Sequence, residues 1–173
     1  MQKSENLFEP KKEEIPYQID IWVPGLSKPA GSKRGFFNKK TERVIIVDDC
    51  KASRPWKTDV KMFAKEVYGG APILGPVKVI MVFYMQRPKG HRDKRGGIKH
   101  SAPTYPITRP DVLKLARACE DALTGTIYHD DSQIVIECLS KIYEDQRGPG
   151  VAITIIPLTK ELISDRSLLQ SAG

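Results

Sequence analysis

In RPDVLKLARACEDALTGTIYHDDSQ (residues 109–133), Asp111 stands where a helix begins, and the adjacent pair Asp130-Asp131 stands where it has ended. Carboxylates brought together in this way suit Mg²⁺. That ion keeps several waters and takes one or two protein carboxylates plus substrate phosphate. Bound there, it would supply what phosphodiester hydrolysis needs, an activated water and help for the leaving oxygen. The physical requirement is convergence: Asp111 and Asp131 meet if the strand after Asp131 packs beside the helix. Arg117, two turns along the charged face, is placed to neutralise a phosphate. A plainer reading fits the same residues, with Asp111 capping the helix, Asp130-Asp131 forming a turn and Arg117 solvated.

The elements around this stretch follow from periodicity and punctuation. Tyr17 to Val23, bounded by Pro16 and Pro24-Gly25, reads as a first strand. The Gly/Pro/Ser-rich stretch PGLSKPAGSKRGFFNKKTER that follows reads as a loop, with Lys28, Lys33 and Arg34 available for phosphate contact. Arg43 to Asp48 reads as a short strand pairing back on the first. Trp56, Val60, Phe63, Ala64 and Val67 recur at helical spacing, and Gly69-Gly70 ends that helix. The apolar run from Val79 to Met85 reads as a central strand buried on both faces. A long basic loop then carries Arg87, Lys89, Arg92, Lys94, Arg95 and Lys99, and His91 and His100 lie in it without metal-ligand spacing.

Thr108 and Asp111 form a T-x-x-D start signal with Pro110 at the first turn, and the helix is expected to stop at Gly125. At 100° per residue its buried stripe is Val112, Leu115, Ala116, Cys119 and Ala122, leaving Asp111, Lys114, Arg117 and Asp121 outside. Ile134 to Tyr143 and the VAITIIP segment read as the last two strands. The element order predicts one α+β domain over residues 16–158, a mixed sheet with packed helices. A charged tail over 1–15 and a second tail over 159–173 flank it.

A net charge of +7 on 173 residues favours a polyanionic partner, because neutralising phosphates releases counterions. No apolar run approaches the roughly 20 residues that cross a bilayer, and the charged N-terminus has no apolar signal core. Cys50, Cys119 and Cys138 are odd in number and lack CxxC spacing, as expected of reduced thiols in the cytoplasm of a bacterial or phage-infected cell.

The run P-D-x-x-K-L-x-R-x-x-x-D-A-L-T-G-x-x-Y-x-D-D-S-Q-I-V, continued by Lys141 and Tyr143, resembles the RusA family of Holliday-junction resolvases, many of them phage-encoded. PGLSKPAGSKR, VIIVDD and RPWKTDV extend the resemblance to the longer phage-type members, over roughly residues 17–157. It implies a homodimeric, Mg²⁺-dependent endodeoxyribonuclease that resolves four-way or otherwise branched DNA by paired nicks, in recombination, repair or phage DNA processing. By position, Asp111 and Asp131 match the family's acids as Mg²⁺ ligands and Arg117 stands where the family has lysine. Asp130 is a further candidate ligand. Lys28, Lys33, Arg34, Arg92, Lys94, Arg95, Lys114 and Lys141 are candidate DNA contacts. The second acid of the family's D-x-D-N-L-x-K motif falls on Leu113, which cannot bind Mg²⁺. Asp130, Asp48, Asp49, Asp121 or water then has to complete the shell; the alternative is a catalytically impaired protein that binds branched DNA.

Overall fold

A computed structural model describes residues 16–31, 33–48, 53–144 and 146–158. The expected tails over 1–15 and 159–173 lie outside these residues, as do Asp49 and Cys50. In chain order the elements are β1 (Ile19–Pro24), β2 (Lys33–Asn38), β3 (Arg43–Asp48), α1 (Ser53–Val67), β4 (Val77–Met85), α2 (Val112–Leu123), β5 (Ile134–Tyr143) and β6 (Gly150–Pro157). Single 3₁₀ turns lie at Lys89–His91 and Asp131–Gln133. The fold is α+β in one domain, as the element order predicts. Its main sheet runs β1-β6-β4-β5. The β1–β6 and β4–β6 pairs are antiparallel and β4–β5 is parallel, so the sheet is mixed.

Alternation along the strands explains the layering. Val79, Met81 and Phe83 of β4 are buried, together with Ile19, Ile21 and Val23 of β1 and Val151, Ile153 and Ile155 of β6. Both helices pack on this face. Trp56, Val60 and Ala64 come from α1, and Leu115, Ala116, Ala118, Cys119, Ala122 and Leu123 come from α2. Each large apolar side chain buried there contributes about 1.5–3 kcal/mol relative to exposure. The opposite sheet face is less covered than the apolar run suggests. Ile80, Val82 and Tyr84 are only half-buried, and Arg147 lies over Trp22 and Tyr84, at 4.9 and 4.6 Å from their ring centres.

Three sequence expectations change. The stretch after β1 is not all loop, because residues 33–38 form β2. β3 then pairs with β2 rather than with β1, giving a separate two-stranded ribbon. The basic residues around Arg34-Gly35-Phe36-Phe37 mask a β-rich segment, and the turn that closes the ribbon is fixed by Asn38, whose Oδ1 accepts the Lys40 amide at 2.9 Å. The second helix starts at Val112, with Asp111 as the extended residue before it. Pro110 therefore lies outside the first turn. Its far end is as expected, since Gly125 adopts φ +68°, a conformation that glycine takes without penalty.

Candidate metal and nucleic-acid site

The DDSQ segment divides into scaffold and chemistry. Asp130 Oδ1 accepts the Ser132 amide at 3.0 Å, while Gln133 Oε1 accepts the Asp130 amide at 2.8 Å, a reciprocal capping box. The Ser132 hydrogen bonds hold the Asp130 carboxyl below the usual range. Gln133 Nε2 also donates to the carbonyls of Ile73 and Gly75 at 2.8 and 2.7 Å, which clasps the turn to the segment before β4. Asp130 and Gln133 are thus occupied with shape. Asp131 is exposed and keeps its carboxylate for other work.

Asp131 lines a concavity of about 310 Å³ with Glu120, Ser132, Ile134, Val135 and Glu137. The acids come from three elements: Glu120 from the last turns of α2, Asp131 from the 3₁₀ turn, and Glu137 from β5. The backbone places them together. Tyr128, fully buried after α2, bridges to Thr124 and Ile73, and its hydroxyl donates to the Glu120 carbonyl at 3.4 Å. The chain then has only three residues to reach Asp131. Burial pushes the Glu120 carboxyl up to about 8, helped by a hydrogen bond with Glu137 and by the charges of Glu137, Asp131 and Asp121. Such a group holds a proton where an isolated glutamate would not, and a cation arriving beside it would displace that proton.

Asp111 does not share this concavity. It lines a second one, about 460 Å³, with Ser27, Lys28, Pro29, Arg109, Pro110 and Lys114. Asp111 and Glu120 lie nine residues apart along the helix, about 13 Å at 1.5 Å per residue. The expected meeting of Asp111 with Asp131 therefore does not occur within one subunit. The reason is directional: β5 follows a reversal at the C-terminal end of α2, so the strand's start packs by the helix end and not by the helix start. Nor does Asp111 act as a side-chain cap, since its carboxylate makes no cap hydrogen bond.

Leu113, Arg117 and Glu120 fall on one helical stripe, because steps of four and three residues return nearly to the same angle. Leu113 and Arg117 are exposed. Asp121 is committed elsewhere, paired with Lys57 of α1 at 2.6 Å. Glu120 and Glu137 are the site residues that sequence reasoning misses. The available signals were an acid on the Arg117 stripe and a lone acid among the apolar residues of IVIECLSKIY. Among the described residues no three Asp, Glu, His or Cys side chains form a ready cage for an ion. Mg²⁺ does not require one, because its remaining positions are filled by water and phosphate. The all-oxygen donor set suits a hard cation.

The expected DNA contacts distribute over two borders of the site. Lys28 and Lys114 flank the second concavity. Lys33 and Arg34 open β2. Arg92, Lys94 and Arg95 are exposed in a loop built on Asp93, whose Oδ1 accepts the amides of Arg95 and Gly97 at 2.8 and 2.9 Å. That loop is docked through Tyr143, which packs between Arg87 (3.8 Å to the ring centre) and the edge-on ring of His91. His91 is therefore part of a ring contact. Lys141 uses two of its donors inside the chain, on the carbonyls of Thr108 (2.7 Å) and Pro110 (3.0 Å). It ties β5 to the approach of α2.

No helix among the described residues is long and apolar enough to cross a membrane. The sequence is 31% identical over 139 residues to the uncharacterized protein YqaN of Bacillus subtilis (strain 168), covering 79% of this chain and 94% of that protein. The family model described as endodeoxyribonuclease RusA matches residues 27–156, which takes in the β2–β3 ribbon, both helices, the DDSQ turn and nearly all of β6. The chain belongs to the RusA endodeoxyribonuclease family.

Proposed function

We propose that this protein is a structure-selective endodeoxyribonuclease that cleaves Holliday junctions and related branched DNA with Mg²⁺ held at Glu120, Asp131 and Glu137. Family membership suggests endodeoxyribonuclease activity on branched DNA. The observation that carries the rest is the placement of two glutamates beside Asp131 on the Arg117 side of α2. The acid missing at Leu113 is matched by one two turns further along the same stripe.

The bound ion would lower the pKa of a coordinated water and polarise the scissile phosphate. The residues of the chain do the remaining work. Glu120 gives up its proton to become a ligand, so affinity rises with pH through the range around 8. Asp131 and Glu137 hold their oxygens at the mouth of the concavity, where a phosphate can approach from solvent. Arg117 lies one turn from Glu120 and keeps its positive charge at all working pH, which fits phosphate stabilisation better than proton donation. Lys28, Lys114 and the Arg92–Arg95 loop extend a positive border for the flanking strands. A homodimer with one site facing each strand suits the twofold symmetry of a junction, acting in the cytoplasm of a bacterial or phage-infected cell during recombination, repair or phage DNA processing.

The test is cleavage of a synthetic four-way junction by the full chain with Mg²⁺, beside Asp131→Asn, Glu120→Gln and Asp111→Asn. The reading expects wild-type cleavage, large losses in the first two variants and a smaller loss in the third. Equal activity in wild type and Asp131→Asn sinks the site. Tight junction binding without any cleavage selects instead the catalytically impaired binding protein, the reading that exposed Leu113 at an acid position favours.

A further inference from the structure

The concavity at the start of α2 has a construction that the metal site does not use. Three segments wall it: Ser27–Pro29 after β1, Arg109-Pro110, and the first turn of α2 with Asp111 and Lys114. All three are tied down. The Ala30 amide donates to the Lys114 carbonyl at 2.7 Å, and Lys141 bonds the carbonyls of Thr108 and Pro110. Lys28, Arg109 and Lys114 bring three cations to it against the single carboxylate of Asp111. The helix contributes its positive end, and Asp111 leaves that end without a side-chain cap. Ser27 adds an independent sign of a missing ligand. It is 8% exposed, lines the same wall, and its buried hydroxyl has no hydrogen-bond partner. A buried hydroxyl left unpaired costs free energy, and most such groups are satisfied by a partner or a ligand.

We infer that this concavity binds one non-scissile phosphodiester of the DNA strand being cleaved. The inference rests on the proposed nuclease reading and extends it to a second phosphate subsite. Free amides at a helix start, with Lys and Arg beside them, form a recurrent anion site. Asp111 sets the selectivity. Its carboxylate faces the same space, so every additional negative charge on the ligand is disfavoured. A diester carries one charge; a terminal monophosphate carries between one and two at neutral pH, its second pKa being about 6. The pocket therefore prefers an internal linkage to a strand end. Its place on α2, about 13 Å from Glu120, puts it on the same helix as the carboxylates, with Arg117 between them. A strand running along α2 would meet both.

The experiment is a titration of the ¹⁵N-labelled full chain by NMR with two probes, thymidylyl-thymidine (one diester) and thymidine 5′-monophosphate. The expected result with the diester is a saturable shift of the Lys28, Val112, Leu113 and Lys114 amides. Affinity falls at least fivefold in Arg109→Gln and in Lys114→Gln. It is at least severalfold weaker for the monophosphate, a preference that Asp111→Asn abolishes. Shifts confined to residues 89–99, shifts that do not saturate, or tighter binding of the monophosphate would each overturn the proposal. The nuclease reading fails separately. A chain that binds the diester here but cleaves no junction removes the nuclease and keeps the subsite, and an active nuclease without these shifts does the reverse.

Discussion

Replacing Glu120 with glutamine separates stability from function. Glu120 is half-buried beside Glu137 and Asp131, and its carboxyl is raised from 4.5 to about 8. Because the folded chain holds this proton more tightly than the unfolded one, the group imposes no penalty below pH about 4.5. Stability is then lost as pH rises from there through about 8. At about 1.4 kcal/mol for each tenfold change in proton affinity, the full shift would be worth several kcal/mol. Half of the group faces solvent and water screens it, which leaves on the order of 1–2 kcal/mol. Glu120→Gln removes the charge at nearly constant volume. It should therefore be more stable than wild type at pH 8 by about 1–2 kcal/mol, roughly 3–6 °C in Tm for a chain of this size, with the difference shrinking toward zero near pH 4.5. A divalent ion should do for wild type what the glutamine does. Saturating Mg²⁺ at pH 8 raises its Tm, by up to about 2.7 kcal/mol equivalent at a hundredfold excess over Kd, and raises that of Glu120→Gln far less. Thermal unfolding followed by circular dichroism at pH 5, 6.5 and 8, with and without Mg²⁺, reads all of this. A wild-type Tm that is flat from pH 5 to 8, or a Glu120→Gln variant less stable than wild type at pH 8, refutes the reasoning.

Three further outcomes follow from the packing and the charges. Gly150→Ala should cost about 1–3 kcal/mol in urea unfolding, since a Cβ there would stand 2.6 Å from the Val23 carbonyl oxygen and 2.7 Å from the Trp22 ring; a neutral result would mean that β1 yields without loss. Replacing Arg92, Lys94 and Arg95 together by alanine should weaken duplex binding and flatten its salt dependence, by roughly 0.9 in slope for each phosphate contact removed; an unchanged slope in fluorescence anisotropy would show these side chains to be only solvated. Lys141→Met should cost about 1–2 kcal/mol, because two carbonyls lose a charged donor, and should lower junction affinity by loosening the approach to α2; a variant that loses affinity with no change in stability would make Lys141 a DNA contact instead.

The sequence was most legible where one local signal and the tertiary environment agree. The α2 stripe of Leu115, Ala116, Cys119 and Ala122 is buried as its period demands, and β5 spans Ile134–Tyr143 as its apolar run suggests. It misled where charge overlies β propensity, as in β2, where lysines and arginines surround a strand. It was also silent on distance. Asp111 and Asp131 carry the family's acid pattern, yet their separation depends on which end of α2 the following strand begins from. That is a property of the reversal at Gly125–Tyr128, fixed by the buried Tyr128 and its pairing with Ile73, a contact between segments far apart in the chain. Glu137 was hidden for a related reason: an acid in a strand has a face only once the strand's partner is known. Val79 of β4 pairs with Glu137 and is buried on the helix side, which places Glu137 on that side too.

The leucine at 113 then takes on a different meaning. A carboxylate ligand is defined by where its oxygens arrive, and a helix offers the same face every three or four residues. Moving an acid by seven residues shifts it two turns along α2 while leaving it on the stripe that carries Arg117. The cation at 117 then lies between the vacated position and the occupied one, within reach of a phosphate bound at either. Sliding the carboxylate toward the C-terminal end also brings it beside Glu137 and Asp131, so the ligands are drawn from three elements rather than two adjacent helix positions. The cost is the mutual repulsion that raises the Glu120 carboxyl, an ordinary expense at a site meant to bind a cation. At the other end of the helix the change frees Asp111 from a partner acid and leaves it facing Lys28, Arg109 and Lys114, where a lone carboxylate among cations tunes which phosphate can bind.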